Sequence, residues 1–74
     1  MNAQRRATAN EAIQSLRSVL SIIELLVDEE QSALEGIPEN MYARVEKCED
    51  TLSDLEDAKS SVEDAIRKIE SATE

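Results

Sequence analysis

Two groups of acidic side chains are the residues whose type and spacing could do chemistry. One is the run Asp28, Glu29 and Glu30, and the other lies within residues 46–57. Carboxylates three or four residues apart share one face of a helix, where two of them can bind a hard cation. The chain has neither the glycine-containing acidic loop of a calcium site nor a histidine for a Glu-x-x-His pair. We therefore interpret both groups as a solvated acidic surface and predict no metal site.

Catalytic chemistry has almost no support in the other side chains. With no histidine, a single glycine and a single cysteine, the chain offers no nucleophile–base pair and no glycine-rich phosphate loop. A lone thiol without histidine also leaves zinc without a set of ligands. We expect a protein that is not an enzyme and that uses no cofactor.

Three residues stand out because they occupy positions where the surrounding pattern expects an apolar side chain. Glu30 is expected to reach solvent or to pair with Arg44 or Lys47. Lys59 has a side chain long enough to extend from an apolar seam to water. Cys48 is expected to behave as a small apolar residue and to remain reduced.

The formal charge of −9 is distributed unevenly along the chain. Residues 1–27 contain three arginines and two glutamates, so the negative charge resides in residues 28–74. Such a surface repels nucleic-acid phosphates and suits a basic partner, although solubility alone also explains it. The apolar stretch 19–27 is far shorter than the roughly 20 residues that span a membrane. We expect a cytoplasmic protein that binds neither nucleic acid nor membrane.

Apolar residues before position 36 recur at steps of three and four, which is the period of a helix. Thr8 and Asn10 compete as the N-cap, so helix 1 is predicted over residues of about 8–35. Its apolar surface is too wide for one neighbour to cover, which predicts contact with a second subunit. The predicted oligomer interface comprises Ile13, Leu16, Val19, Leu20, Ile22, Ile23, Leu26 and Val27.

The same period returns after the break and predicts helix 2 over residues of about 39–72. Its apolar stripe is narrow and its opposite face is acidic, as in a helix that contributes one seam to a coiled coil. The predicted seam of the hairpin comprises Leu34, Ile37, Val45, Cys48, Leu52, Leu55, Val62, Ile66 and Ile69.

The break itself contains the only glycine and the only proline, Gly36 and Pro38. A continuous helix would hold Pro38 in its interior at a cost of roughly 3 kcal/mol, so we predict a turn at residues 36–38. Gly36 is predicted to take a left-handed cap, and Pro38 to begin helix 2. An antiparallel hairpin with this turn places Arg5 and Arg6 beside Glu70.

A chain of 74 residues with one aromatic side chain and no possible internal disulfide needs partner chains to complete a core. We therefore predict a single all-α domain, residues 1–74, in which a helical hairpin self-associates. A symmetric dimer forming a four-helix bundle is favoured. A tetramer or hexamer would also satisfy the pattern.

The segment DEEQSALEGIPENM, residues 28–41, and the acidic helix that follows resemble a family of short acidic proteins from phages and prophages of Gram-positive bacteria. Members often have Leu-Gln and Ser-Glu-Arg after the turn, where this chain has Met-Tyr-Ala-Arg. The positions that carry the resemblance are Glu29, Glu30, Gln31, Ala33, Ile37, Pro38, Glu39, Asn40 and residues 55–58.

The resemblance implies a bacterial host and a role in binding rather than catalysis. One expectation is an inhibitor that holds a host defence protein through acidic helix 2. A second is an oligomeric sponge that traps a nucleotide immune signal, with arginines on the phosphates and Tyr42 stacked on the base. A third is a purely structural or assembly role. The candidate binding residues are Glu30, Tyr42, Arg44, Arg5, Arg6 and Arg17.

Overall fold

The chain folds as two long antiparallel helices joined by a turn. The structure is a computed structural model that describes all residues, 1–74. Helix α1 spans Ala3–Glu35 and helix α2 spans Tyr42–Ala72, with no strand, and the molecule measures 58 × 15 × 11 Å. The prediction of an all-α hairpin is confirmed.

Helix α1 begins earlier than the predicted start at about residue 8. Asn2 is the N-cap, and its Oδ1 accepts a hydrogen bond of 2.8 Å from the Arg5 backbone N–H. The hydroxyl of Thr8, one of the two expected caps, instead donates to the Gln4 carbonyl inside the helix at 3.2 Å. Because alanine, glutamine and arginine all favour helix, the first residues extend it up to the earlier cap.

The turn, residues 36–41, is longer than expected, and its glycine has a different conformation. Gly36 has φ −87° and ψ −6°, which is right-handed, so the prediction of a left-handed cap is wrong. The Met41 N–H donates to the Pro38 carbonyl at 3.0 Å, so Pro38 opens a second turn rather than helix α2. Helix α2 starts at Tyr42, and the preceding side chain makes no capping hydrogen bond.

The hairpin buries few residues. Only three residues are buried, at 5–7% exposed: Ile13, Cys48 and Ile66. All of the predicted seam residues are buried or half-buried. A two-helix structure has one contact layer, and this layer is too thin to bury a larger core.

The length of the turn sets the register of the helices. Glu30 contacts Cys48, whereas a turn at residues 36–38 would have placed it beside residue 45. At the open end Glu70 pairs with Arg17 at 3.2 Å, not with the two N-terminal arginines as predicted. Residues 1–8 are all exposed, so α2 does not cover the first turns of α1.

We predict that replacing Gly36 with l-alanine raises the free energy of unfolding by about 0.4–1 kcal/mol. The backbone is already right-handed there, and an added Cβ would meet the Ala33 carbonyl oxygen at 3.6 Å, an ordinary contact. The gain arises because alanine restricts the unfolded chain. Chemical denaturation of synthetic chains provides the measurement. The matched control is d-alanine at the same position, which we expect to destabilise; the opposite order would mean that Gly36 is left-handed.

Candidate functional site

One face of α1 is apolar and open to solvent. Val19, Ile22, Leu25 and Leu26 are 43%, 59%, 55% and 44% exposed, although their side chains are large and aliphatic. They lie within two turns of one helix and form a contiguous surface. Contiguous apolar surface of this kind on a small protein marks a site of association.

The structure divides the predicted oligomer interface into two sets. The residues already buried or half-buried within the chain are Ile13, Leu16, Leu20, Ile23 and Val27. Val19, Ile22 and Leu26 remain exposed, and Leu25 joins them. Leu25 is absent from the predicted interface. Its step of three residues from Ile22 is the signal that would have located it.

The magnitude of this exposure is enough to matter for assembly. Full burial of a Val, Leu or Ile side chain contributes about 1.5–3 kcal/mol, so covering one that is half exposed contributes roughly 1 kcal/mol. A symmetric contact covers the face twice, which contributes roughly 8 kcal/mol and falls within the estimated association cost of about 4–15 kcal/mol. The gain from covering the exposed face is thus comparable with the cost of association, so the balance depends on how well the surfaces fit.

A second feature is a cavity of about 260 Å³ between the helices at the turn end. A shallower concavity, lined by residues 40–44, adjoins it and shares Arg44. Tyr42 stands beside them, 78% exposed. The residues that line the first cavity are Glu30, Ala33, Ile37, Arg44, Lys47, Cys48 and Thr51.

The cavity contains one specific polar contact between the helices. The Cys48 thiol donates to Oε1 of Glu30 at 3.1 Å and also approaches the Glu30 carbonyl oxygen at 3.5 Å. This hydrogen bond, followed by burial and repulsion from Glu30 and Glu49, raises the pKa of Cys48 above its ordinary value. Glu30 therefore pairs with the thiol and not with a basic residue, contrary to the expectation for Arg44 or Lys47.

The candidate cationic residues are spread along the length of the hairpin. Arg44 lies at the cavity and has no carboxylate within ion-pair distance. Arg5 and Arg6 lie on the first turn of α1, about 45 Å from the turn end at 1.5 Å per residue. Arg17 lies between these ends and is paired with Glu70. One chain therefore brings Glu30, Tyr42 and Arg44 together, but not the other arginines.

The third feature is the acidic surface of α2. None of its six exposed carboxylates within residues 46–57 forms an ion pair. By contrast, Asp64 pairs with Lys68 at 3.0 Å and with Arg67 at 3.4 Å, and the Lys68 hydrogen bond is the main reason that its pKa is lowered. The acidic surface comprises Glu46, Glu49, Asp50, Asp54, Glu56 and Asp57.

Two further observations concern metals and membranes. No three acidic or cysteine side chains converge closely enough to hold a metal ion. Neither helix combines the length and the apolar character that crossing a bilayer requires.

Comparison with known proteins gives no match among family models, curated sequences or solved structures.

We predict that Glu30→Gln lowers the pKa of Cys48 towards its ordinary value. The amide can still accept a hydrogen bond from the thiol, but it lacks the negative charge that opposes the thiolate. Thiolate absorbance during a pH titration gives the measurement. Glu29→Gln is the matched control because Glu29 is exposed and does not contact the thiol. An equal pKa of Cys48 in the wild type and in Glu30→Gln would show that this carboxylate does not affect the thiol.

Proposed function

We propose that this chain is a non-enzymatic accessory protein of a phage or prophage. It acts by binding a host protein with a basic surface and inhibiting that protein. The observation that carries the proposal is the acidic surface of α2, whose six exposed carboxylates have no ion-pair partner within the chain. The phage setting comes from the resemblance around the turn.

The spacing of the acidic surface explains why a basic partner would bind there. Glu46 and Asp50 are four residues apart, as are Asp50 and Asp54, so like charges face each other along the helix. Such pairs destabilise a helix by roughly 0.2–0.5 kcal/mol each. A basic surface relieves this repulsion and is steered towards the site by long-range attraction.

We predict that the triple variant Glu46→Gln, Asp50→Asn, Asp57→Asn binds the host partner roughly tenfold more weakly. The reason is that three exposed charge contacts of about 0.5 kcal/mol each are lost. The measurement is capture of host proteins on the immobilised chain at low and high salt. We expect one or more basic proteins to be retained at low salt by the wild type and released at high salt.

The matched control removes three carboxylates elsewhere, as Glu11→Gln, Glu24→Gln and Glu35→Gln, so that both variants have the same net charge. Binding that the control retains, and the triple variant does not, would locate the contact on the acidic surface. Equal loss in both variants would mean that only net charge matters. If the wild type retains no basic protein at either salt concentration, the proposal is wrong.

A second candidate function is capture of a small nucleotide at the turn end. It is favoured by Arg44 and Lys47, which line the cavity without an ion-pair partner, and by exposed Tyr42 beside it. Arginine and lysine bind phosphate, and an aromatic ring offers a surface on which a base can stack.

We predict for this candidate that Arg44→Ala abolishes nucleotide binding, since the side chain lines both concavities. Calorimetry against a panel of cyclic and linear nucleotides gives the measurement. Arg67→Ala is the control, because it removes an arginine that pairs with Asp64 on α2, away from the cavity. No heat from any nucleotide with the wild type would eliminate this candidate.

A further inference from the structure

The exposed face of α1 has a size pattern that is symmetric about its own centre. Ala12, Val19, Leu26 and Ala33 recur every seventh residue, so they lie along nearly one line on the helix, and all four are exposed. The small residues are at the two ends and the large ones in the middle. Read in reverse, the series again has small residues at its ends and larger ones in the middle, and its midpoint falls between residues 22 and 23.

We propose that a second copy of this chain covers the face, with the two α1 helices antiparallel. The two-fold axis passes near residues 22 and 23. Val19 then lies against Leu26 of the second copy, and Ala12 against Ala33 of the second copy. This inference concerns α1 and does not depend on the binding partner proposed for α2.

Charge along α1 selects the antiparallel arrangement. Residues 1–17 contain three arginines and one glutamate, whereas residues 18–35 contain five acidic residues and no basic one. A parallel pair would place acidic half against acidic half, and Glu29 opposite its own copy. An antiparallel pair with this axis places residue n opposite residue 45 − n, so the acidic residues 28–35 face residues 10–17, where Glu11 and Arg17 cancel, and Arg17 lies opposite Asp28. The antiparallel arrangement therefore avoids the repulsion between two acidic halves, which favours this orientation.

The position of the face on the hairpin also suits a second hairpin. Each residue of the series directly precedes a buried or half-buried residue of α1, as Val19 precedes Leu20, so the exposed and covered stripes are about 100° apart on α1. Two contact faces near a right angle are what a helix at the corner of a four-helix bundle needs. A second copy therefore meets α1 without displacing α2.

Helix α2 presents two alanines on the same side of the hairpin. In antiparallel helices, the residues that directly precede the seam positions lie on the same side of the hairpin in both helices. Ala33 of α1 and Thr51 of α2 are two such residues, and both line the cavity. Further along α2, Ala58 and Ala65 occupy equivalent positions and are half-buried. Small residues there leave room for the second hairpin to approach.

Disulfide trapping with paired cysteine variants tests the proposal. Each variant carries Cys48→Ala, and helix content by circular dichroism confirms that it folds. Mixing Val19→Cys chains with Leu26→Cys chains should give a mixed cross-link. Val19→Cys alone should give none, because its two copies would be seven residues, or about 10 Å, apart along the helices, beyond disulfide reach.

Other cross-links would overturn the proposal. A cross-link of Val19→Cys with itself would mean that the helices are parallel. A cross-link between Val19→Cys and Ala58→Cys would mean that α1 packs on α2 of the other copy. A native mass spectrum of the wild type that contains only monomer or trimer would also overturn it. None of these results bears on capture of a basic partner by α2, which is measured separately.

Discussion

Two helices can cover only one face of each other, and this limit governs the whole molecule. Helix α2 needs only one covered face, since its other side is charged. Helix α1 has a second apolar face, and the hairpin leaves it in water, with Ile22 59% exposed. The stability of the chain and the proposed self-association therefore depend on the same helix.

Register is the second constraint, and it is set at the turn. The turn extends to residue 41, which moves Cys48 opposite Glu30 and allows the thiol to donate to the carboxylate. A polar residue in an apolar stripe is costly when its polar atoms lack partners. Here the carboxylate has a partner on the facing helix, so a sliding of the helices would lose that bond. The contact therefore favours one register over its neighbours.

Periodicity predicted the helices and the seam, because burial repeats with the helical turn. It did not predict the ends, where several signals of similar strength compete: Asn2, Thr8 and Asn10 are all good caps, and tertiary cover does not decide among them. The predicted left-handed conformation of Gly36 was also wrong, since glycine permits a left-handed cap without requiring one. The Cys48–Glu30 contact could not be predicted, because it depends on a turn length that the residue types do not determine.

The apolar face and the acidic surface belong to different helices, and this separation has a consequence for binding. The apolar face belongs to α1, while Glu46, Asp50 and Asp57 project from α2 and are exposed. The proposed assembly of two copies through α1 leaves Glu46, Asp50 and Asp57 of both copies free. Two such surfaces on one rigid body can engage two basic sites at once, and linked sites bind more tightly than either does alone when their spacing matches. Self-association would then strengthen capture of a partner without adding a single contact to it.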